Sequence, residues 1–214
     1  MNTYTVFGAT GLIGSYFRKE LSDAHLQLAV RNSPEALQVN EKEVLVDFEQ
    51  LENYPDLFDA DAIFCCLGTT IKNVGGDQQK FRHIDMEIPA KIATLAARHG
   101  ASTLLVVSAM GAHPESKIFY NKVKGEMEEA MKAAGLTSLY IFRPALLMGK
   151  RRENRTGEKI AQAIMPVFSP LLGGRLKNYR PIHAKTVAQA MAYFARQPQP
   201  GIHTLLSAEI QAAV

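Results

Sequence analysis

No stretch of this 214-residue sequence supplies the roughly 18 consecutive apolar residues that a membrane-crossing helix needs. The nearest candidate, IAQAIMPVFSPLLGG, is interrupted by two prolines. The first residues, MNTYTVFGATGLIG, lack the charged n-region of a signal peptide and break their apolar run with glycines. Cysteine is scarce as well. Cys65 and Cys66 are adjacent, and neighbours on a strand face opposite sides of the sheet, so a disulfide between them is not expected. They read as small core residues in a reducing compartment, and the expected location is the cytoplasm, without membrane attachment. Neither sign of charge dominates. A net charge of +3, with no basic and aromatic constellation, gives no reason to expect nucleic acid. His113 and His183 lack companions at metal-ligand spacing, so no metal is expected. Internal repeats and low-complexity tracts are missing too.

What is present is a chain with 47% hydrophobic and 21% charged residues, ordinary for a soluble globular protein and long enough for one substantial core. Short apolar runs alternate with helical patterns up to about residue 145. TYTVF (3–7) precedes a helix over about 12–22, followed by LQLAV (26–30), EVLV (43–46) and AIFCCL (62–67). A long helical segment runs from about 78 to 99, and Pro89 inside it predicts a kink or a break. TLLVV (103–107), a helix after Phe119, SLYIF (138–142), a helix over 184–196 and a strand over 202–206 complete the pattern. Such alternation predicts βαβ units and an α/β, doubly wound, mostly parallel sheet with helices on both faces. Residues 149–179 break the rhythm with KRRENR and a Pro/Gly-rich stretch. They read as a short insertion over one end of the sheet within a single domain, because about 30 residues cannot bury a core of their own.

The strongest motif is Gly8-Ala9-Thr10-Gly11-Leu12-Ile13-Gly14, set between the first strand and the first helix. Gly8 permits the tight turn, Gly11 lets backbone N–H groups approach a pyrophosphate, and Gly14 lets the helix pack closely. The helix N-terminus offers partial positive charge to the anion. This context predicts dinucleotide binding at Gly8, Thr10, Gly11, Leu12, Ile13 and Gly14. The second strand ends in Arg31, Asn32 and Ser33, where an NAD-binding chain usually offers a carboxylate to the ribose. A guanidinium there pairs with a 2′-phosphate and favours NADP over NAD, with Asn32 beside it.

Ser108 stands at the carboxyl end of TLLVV, and Tyr120 and Lys124 are four apart, hence on one helix face. These residues, with GATGLIG, resemble the short-chain dehydrogenase/reductase superfamily and its Ser-Tyr-Lys triad. CCLGTT, FYNKVKGEME and RPALLMGKRRENRTGE are similar to its atypical branch that includes the Tat-interacting oxidoreductase-like proteins. The resemblance covers nearly the whole chain and implies one Rossmann-like NAD(P)-binding domain over 1–214. It also implies a catalytic set of Ser108, Tyr120 and Lys124. Tyr120 would exchange a proton with substrate; a free phenol has a pKa of about 10 and needs a nearby cation, which Lys124 would supply. Ser108 would hydrogen-bond the substrate carbonyl, and Lys124 would also bond the nicotinamide ribose.

By the same resemblance, Asp47 and Phe48 would meet the adenine. Leu67, Gly68 and Thr69 would line the nicotinamide ribose, and Arg143, Pro144 and Ala145 would pass near the nicotinamide. Arg155 resembles an arginine of the branch motif and is the substrate candidate, part of a locally basic stretch suited to a small, anionic substrate. One departure is Asp85, which stands nearest to where the superfamily often places an asparagine. The expected activity is an NADP-dependent oxidoreductase acting on a small carbonyl or alcohol. Two alternatives stay open: a regulatory NADP(H)-binding sensor without turnover, and an epimerase that retains its cofactor, which suits the short substrate segment less well.

Overall fold

The computed structural model describes residues 1–34, 36–149 and 174–214. Their frame is a seven-stranded sheet, parallel throughout, in the order β3-β2-β1-β4-β5-β6-β9. The strands are β1 (Thr3–Phe7), β2 (His25–Val30), β3 (Glu41–Leu45), β4 (Ala62–Cys65), β5 (Thr103–Val107), β6 (Ser138–Arg143) and β9 (Gly201–Leu206). Two short strands, β7 (Leu147–Met148) and β8 (Ile182–His183), pair outside the main sheet. The helices are α1 (Leu12–Glu20), α2 (Gln78–Arg82), α3 (Ile88–Arg98), α4 (Phe119–Ala133), α5 (Ala184–Arg196) and α6 (Ser207–Ala212).

Both faces of the sheet are covered, so its central strands are apolar on successive residues. Along β4, Ala62 and Phe64 join a core with Phe17 of α1 and Val187 and Met191 of α5. Ile63 and Cys65 turn to the opposite face, against Phe58, Ile92 of α3, and Met127 and Met131 of α4. Cys66 packs on the first side, so the two free cysteines point apart as their adjacency requires. This is the doubly wound α/β architecture expected from the strand–helix alternation.

Register brings the strand tips level. Phe7 is opposite Cys65, Cys65 is opposite Val106, and Val107 is opposite Phe142. Gly8, Cys66 and Ser108 therefore leave the sheet, and Arg143 ends β6, at nearly one height. The strand order reverses between β1 and β4, and in such sheets ligands bind at the carboxyl ends beside that reversal.

The long middle helix does not break at Pro89. Between α2 and α3 lies a π turn, His83–Glu87, closed by the Ile88 N–H donating to the His83 carbonyl. In a regular helix the proline ring would collide with the carbonyl four residues back, which belongs to Asp85. Widening the turn there accommodates the ring and lets the helix continue. Most of the 149–179 segment, including Arg155 and KRRENR, lies outside the described residues; its last part, Gly174–Tyr179, is a 3₁₀ turn.

Candidate active site

The loop after β1 is built by glycine. Gly8 has φ +86°, and a Cβ there would lie 2.7 Å from the Cys66 backbone. At Gly14 a Cβ would sit 2.3 Å from the Gly8 carbonyl oxygen, so only glycine lets α1 start this close to the loop. The Gly11 N–H donates to the Gly8 carbonyl (3.0 Å), closing the turn and leaving the first N–H groups of α1 without intrahelical acceptors. Thr10 and Gly11 are exposed, Leu12 is half-buried, and Ile13 points into the core. This cradle fits a diphosphate, with backbone donors at a helix N-terminus and no side chain filling the approach.

Arg31 and Asn32 are exposed at the tip of β2, and the Arg31 guanidinium makes no hydrogen bond or ion pair among the described residues. Asp47 caps the 3₁₀ turn after β3 by accepting from the Glu49 N–H (3.0 Å), and Phe48 lies edge-on to Phe7. These four stand on the β2–β3 side of β1. The other candidates gather across the reversal, at β4, β5 and β6.

On that side Lys124 is buried, and its Nζ lies 2.9 Å from Asp85 Oδ1. The other Asp85 oxygen accepts from the Thr69 N–H at 2.7 Å. Burial opposes the charged form of Lys124, but the Asp85 carboxylate and then the Tyr120 phenol outweigh it, so the ammonium is held above the ordinary lysine range. Tyr120 is 41% exposed, its ring leans on Phe81, and its hydroxyl has no hydrogen-bond partner among the described residues. Lys122 turns outward into solvent. Gly68 matters for access: a Cβ there would lie 3.3 Å from Asp85 Oδ1 and 3.9 Å from Lys124 Nζ. Its absence lets the loop lie close against the ion pair.

Ser108 differs from the free donor expected at a strand tip. It is buried, and its hydroxyl donates to the Glu128 carboxylate. Glu128 is also gripped by the Arg143 guanidinium, with Nε–Oε1 3.0 Å and Nη2–Oε2 2.5 Å. This fork holds the guanidinium above its usual pKa. Pro144 is buried and its carbonyl accepts from the Met110 N–H (3.0 Å), while the Ala145 N–H donates to Ser207 Oγ (2.8 Å). Leu67 is half-buried beside the core.

Sequence reasoning noted Asp85 only as a departure and missed Glu128 altogether. The signal was there: Tyr120, Lys124 and Glu128 follow one another at steps of four along α4. Gly125 was missed as well. A Cβ there would lie 2.2 Å from the His113 carbonyl carbon, so this glycine lets the loop after Ser108 fold onto α4.

Comparison with known proteins gives a concordant picture. Residues 8–198 match a family model described as NAD(P)H-binding. Protein HTATIP2 of Rattus norvegicus is 33% identical over 209 residues, covering 94% of this chain and 84% of the relative. Protein FMP52, mitochondrial, of Candida albicans is 30% identical over 208 residues, covering 92% and 89%. Among solved structures, a putative NAD-dependent epimerase/dehydratase from Bacillus halodurans superposes with a TM-score of 0.71 at 18% identity, covering 100% of this chain and 99% of that one. The Bordetella bronchiseptica enzyme WbmH, in complex with NAD+, gives 0.73 at 15% identity, covering 97% and 76%. At these identities the two structures show the fold alone.

Proposed function

Since the chain belongs to the NAD(P)H-binding family, we propose that it is an NADP-dependent oxidoreductase of the short-chain dehydrogenase type, acting on a small carbonyl or alcohol. The observation that carries this reading is the half-exposed Tyr120 phenol, without a hydrogen-bond partner among the described residues, one turn from a buried, charged Lys124. A phenol whose hydroxyl is otherwise used could not serve as proton donor. An ammonium kept charged in a dry setting is suited to stabilise the phenolate left after donation.

In this reading the glycine loop binds the diphosphate through backbone N–H groups. Lys124 and the loop of Leu67, Gly68 and Thr69 hold the nicotinamide ribose, and Asp47 and Phe48 face the adenine. When bound, the cofactor supplies or accepts the hydride. Tyr120 delivers a proton to the substrate oxygen during reduction and takes it back during oxidation. Arg31 selects the 2′-phosphate: it is exposed and unpaired among the described residues, and β2 runs into Arg31, Asn32 and Ser33 rather than into Asp or Glu. Arg155 remains the proposed anchor for an anionic substrate. The reducing environment proposed for the protein is the cytoplasm, supported by the two free cysteines; among the described residues no helix is long and apolar enough to cross a membrane.

One observation favours binding without turnover. The Ser108 proton is engaged by Glu128, which leaves Tyr120 as the sole donor of the triad free to meet a carbonyl. NADPH oxidation followed over a panel of small aldehydes and ketones separates the two readings. Turnover with some member is expected. NADPH binding without turnover across the panel would support the sensor.

A further inference from the structure

We propose that Asp85 is the positioning residue of this site, its single carboxylate holding the Lys124 ammonium and the Thr69 N–H so that the loop after β4 and helix α4 form one unit. The inference rests on the proposed reading of Lys124 and Thr69 as contacts to a cofactor ribose, and it adds the group that places them.

The chemistry of the two contacts requires a carboxylate. Lys124 Nζ and the Thr69 N–H are both donors, so the group between them must accept on both sides. An asparagine offers one acceptor and one NH₂, and it would have to turn that NH₂ toward one of the two donors. Asp85 is 1% exposed, so water cannot supply the lost acceptor. The π turn that accommodates Pro89 is what carries this carboxylate, and such turns in helices are frequent at functional sites.

The groups facing Lys124 are few. They are Asp85 from the π turn, Tyr120 from α4 itself, and Cys65 from the end of β4. Burial pushes the Cys65 thiol up to about 11, so it is neutral around neutral pH. Of the groups that favour the charged form of Lys124, Asp85 contributes most, with the Tyr120 phenol behind it. Asp85 is therefore the anion that keeps a buried amine protonated, and without it desolvation favours the neutral amine.

The direct test is an NMR titration of the Lys124 side chain in ¹³Cε-lysine-labelled protein, its resonance assigned by loss in Lys124→Met. In the wild type the midpoint should lie above the ordinary 10.5. In Asp85→Asn it should fall by about one unit or more. A midpoint unchanged in Asp85→Asn would overturn the proposal.

If Asp85→Asn does not fold, Lys124→Met tests the pair from the other side. Its Asp85 carboxyl carbon resonance should move from the wild-type position at neutral pH because the contact to Lys124 is gone, and an unmoved resonance would overturn the proposal equally. A second readout is NADPH affinity from nicotinamide emission between about pH 7 and about pH 9.5. The wild type should be flat, whereas Asp85→Asn should weaken about fivefold as pH rises and Lys124 loses its proton. Asp85→Asn binding that stays as flat and as tight as wild type would count against the proposal. Wild-type protein that binds no cofactor would remove the ribose reading, and the lysine titration would still decide whether Asp85 holds Lys124.

Discussion

At the scale of single residues, the site is ordered by two buried carboxylates. Asp85 serves Lys124, and Glu128 serves Ser108 and Arg143. Their costs on removal differ. Glu128→Gln removes the charge and sets an NH₂ in place of one of the two oxygens that accept from a partly exposed guanidinium and a buried hydroxyl. It should lower stability by about 1–3 kcal/mol, less than a fully buried pair because Arg143 keeps some contact with water. Ser108→Ala should cost less, since the Arg143–Glu128 fork survives it. Urea unfolding of the two variants checks the order, and a larger loss for Ser108→Ala would contradict it. Tyr120 and Lys124 were legible because their spacing is chemical as well as helical. Glu128 follows at the same spacing, but an acidic residue on a helix reads as a solvated one until tertiary contacts bury it.

Among elements, the π turn and the close approach of α4 decide the geometry. Pro89 was legible as a disturbance. Whether the helix breaks or widens depends on packing against Met127 and its neighbours, which no local pattern encodes. Gly125 illustrates the same limit. Glycine in a helix reads as a weak point, yet here it is the place where His113 and Pro114 lie against the backbone. Gly125→Ala should therefore destabilise despite alanine's better helix propensity, by about 1–3 kcal/mol. A thermal midpoint equal to or above wild type would show that the loop yields freely. Gly14→Ala is the counterpart at the nucleotide loop. Its Cβ would meet the Gly8 carbonyl, so NADPH affinity should drop by about tenfold or more, measured by nicotinamide fluorescence.

For the whole molecule, the parallel sheet was legible from apolar runs at regular intervals. Its strand order, and with it the meeting of Asp85, Thr69 and Lys124, depends on contacts far apart in sequence. The sheet also has a charged clasp on its β3 side, where Arg18 of α1 grips Glu41, with Nε–Oε1 2.6 Å. Burial alone would raise the Glu41 pKa, but the bonds from Arg18 and from the Gln38 N–H prevail and hold it below the usual 4.5. Because the folded value is the lower one, this stabilisation is present above the unfolded pKa and is lost as pH falls through the folded one. Arg18→Met should thus be less stable than wild type at neutral pH and lose less further stability below about pH 4.5, as read from thermal midpoints across that range.

The most direct measurement on the central proposal, that Tyr120 donates the proton beside a charged Lys124, is NADPH oxidation by Tyr120→Phe at saturating cofactor with the most reactive carbonyl compound. Removing one oxygen from a half-exposed ring should leave NADPH affinity within about threefold while lowering turnover by about a hundredfold or more. Turnover retained at the wild-type rate with equally tight cofactor binding would place the proton donor elsewhere and contradict the account.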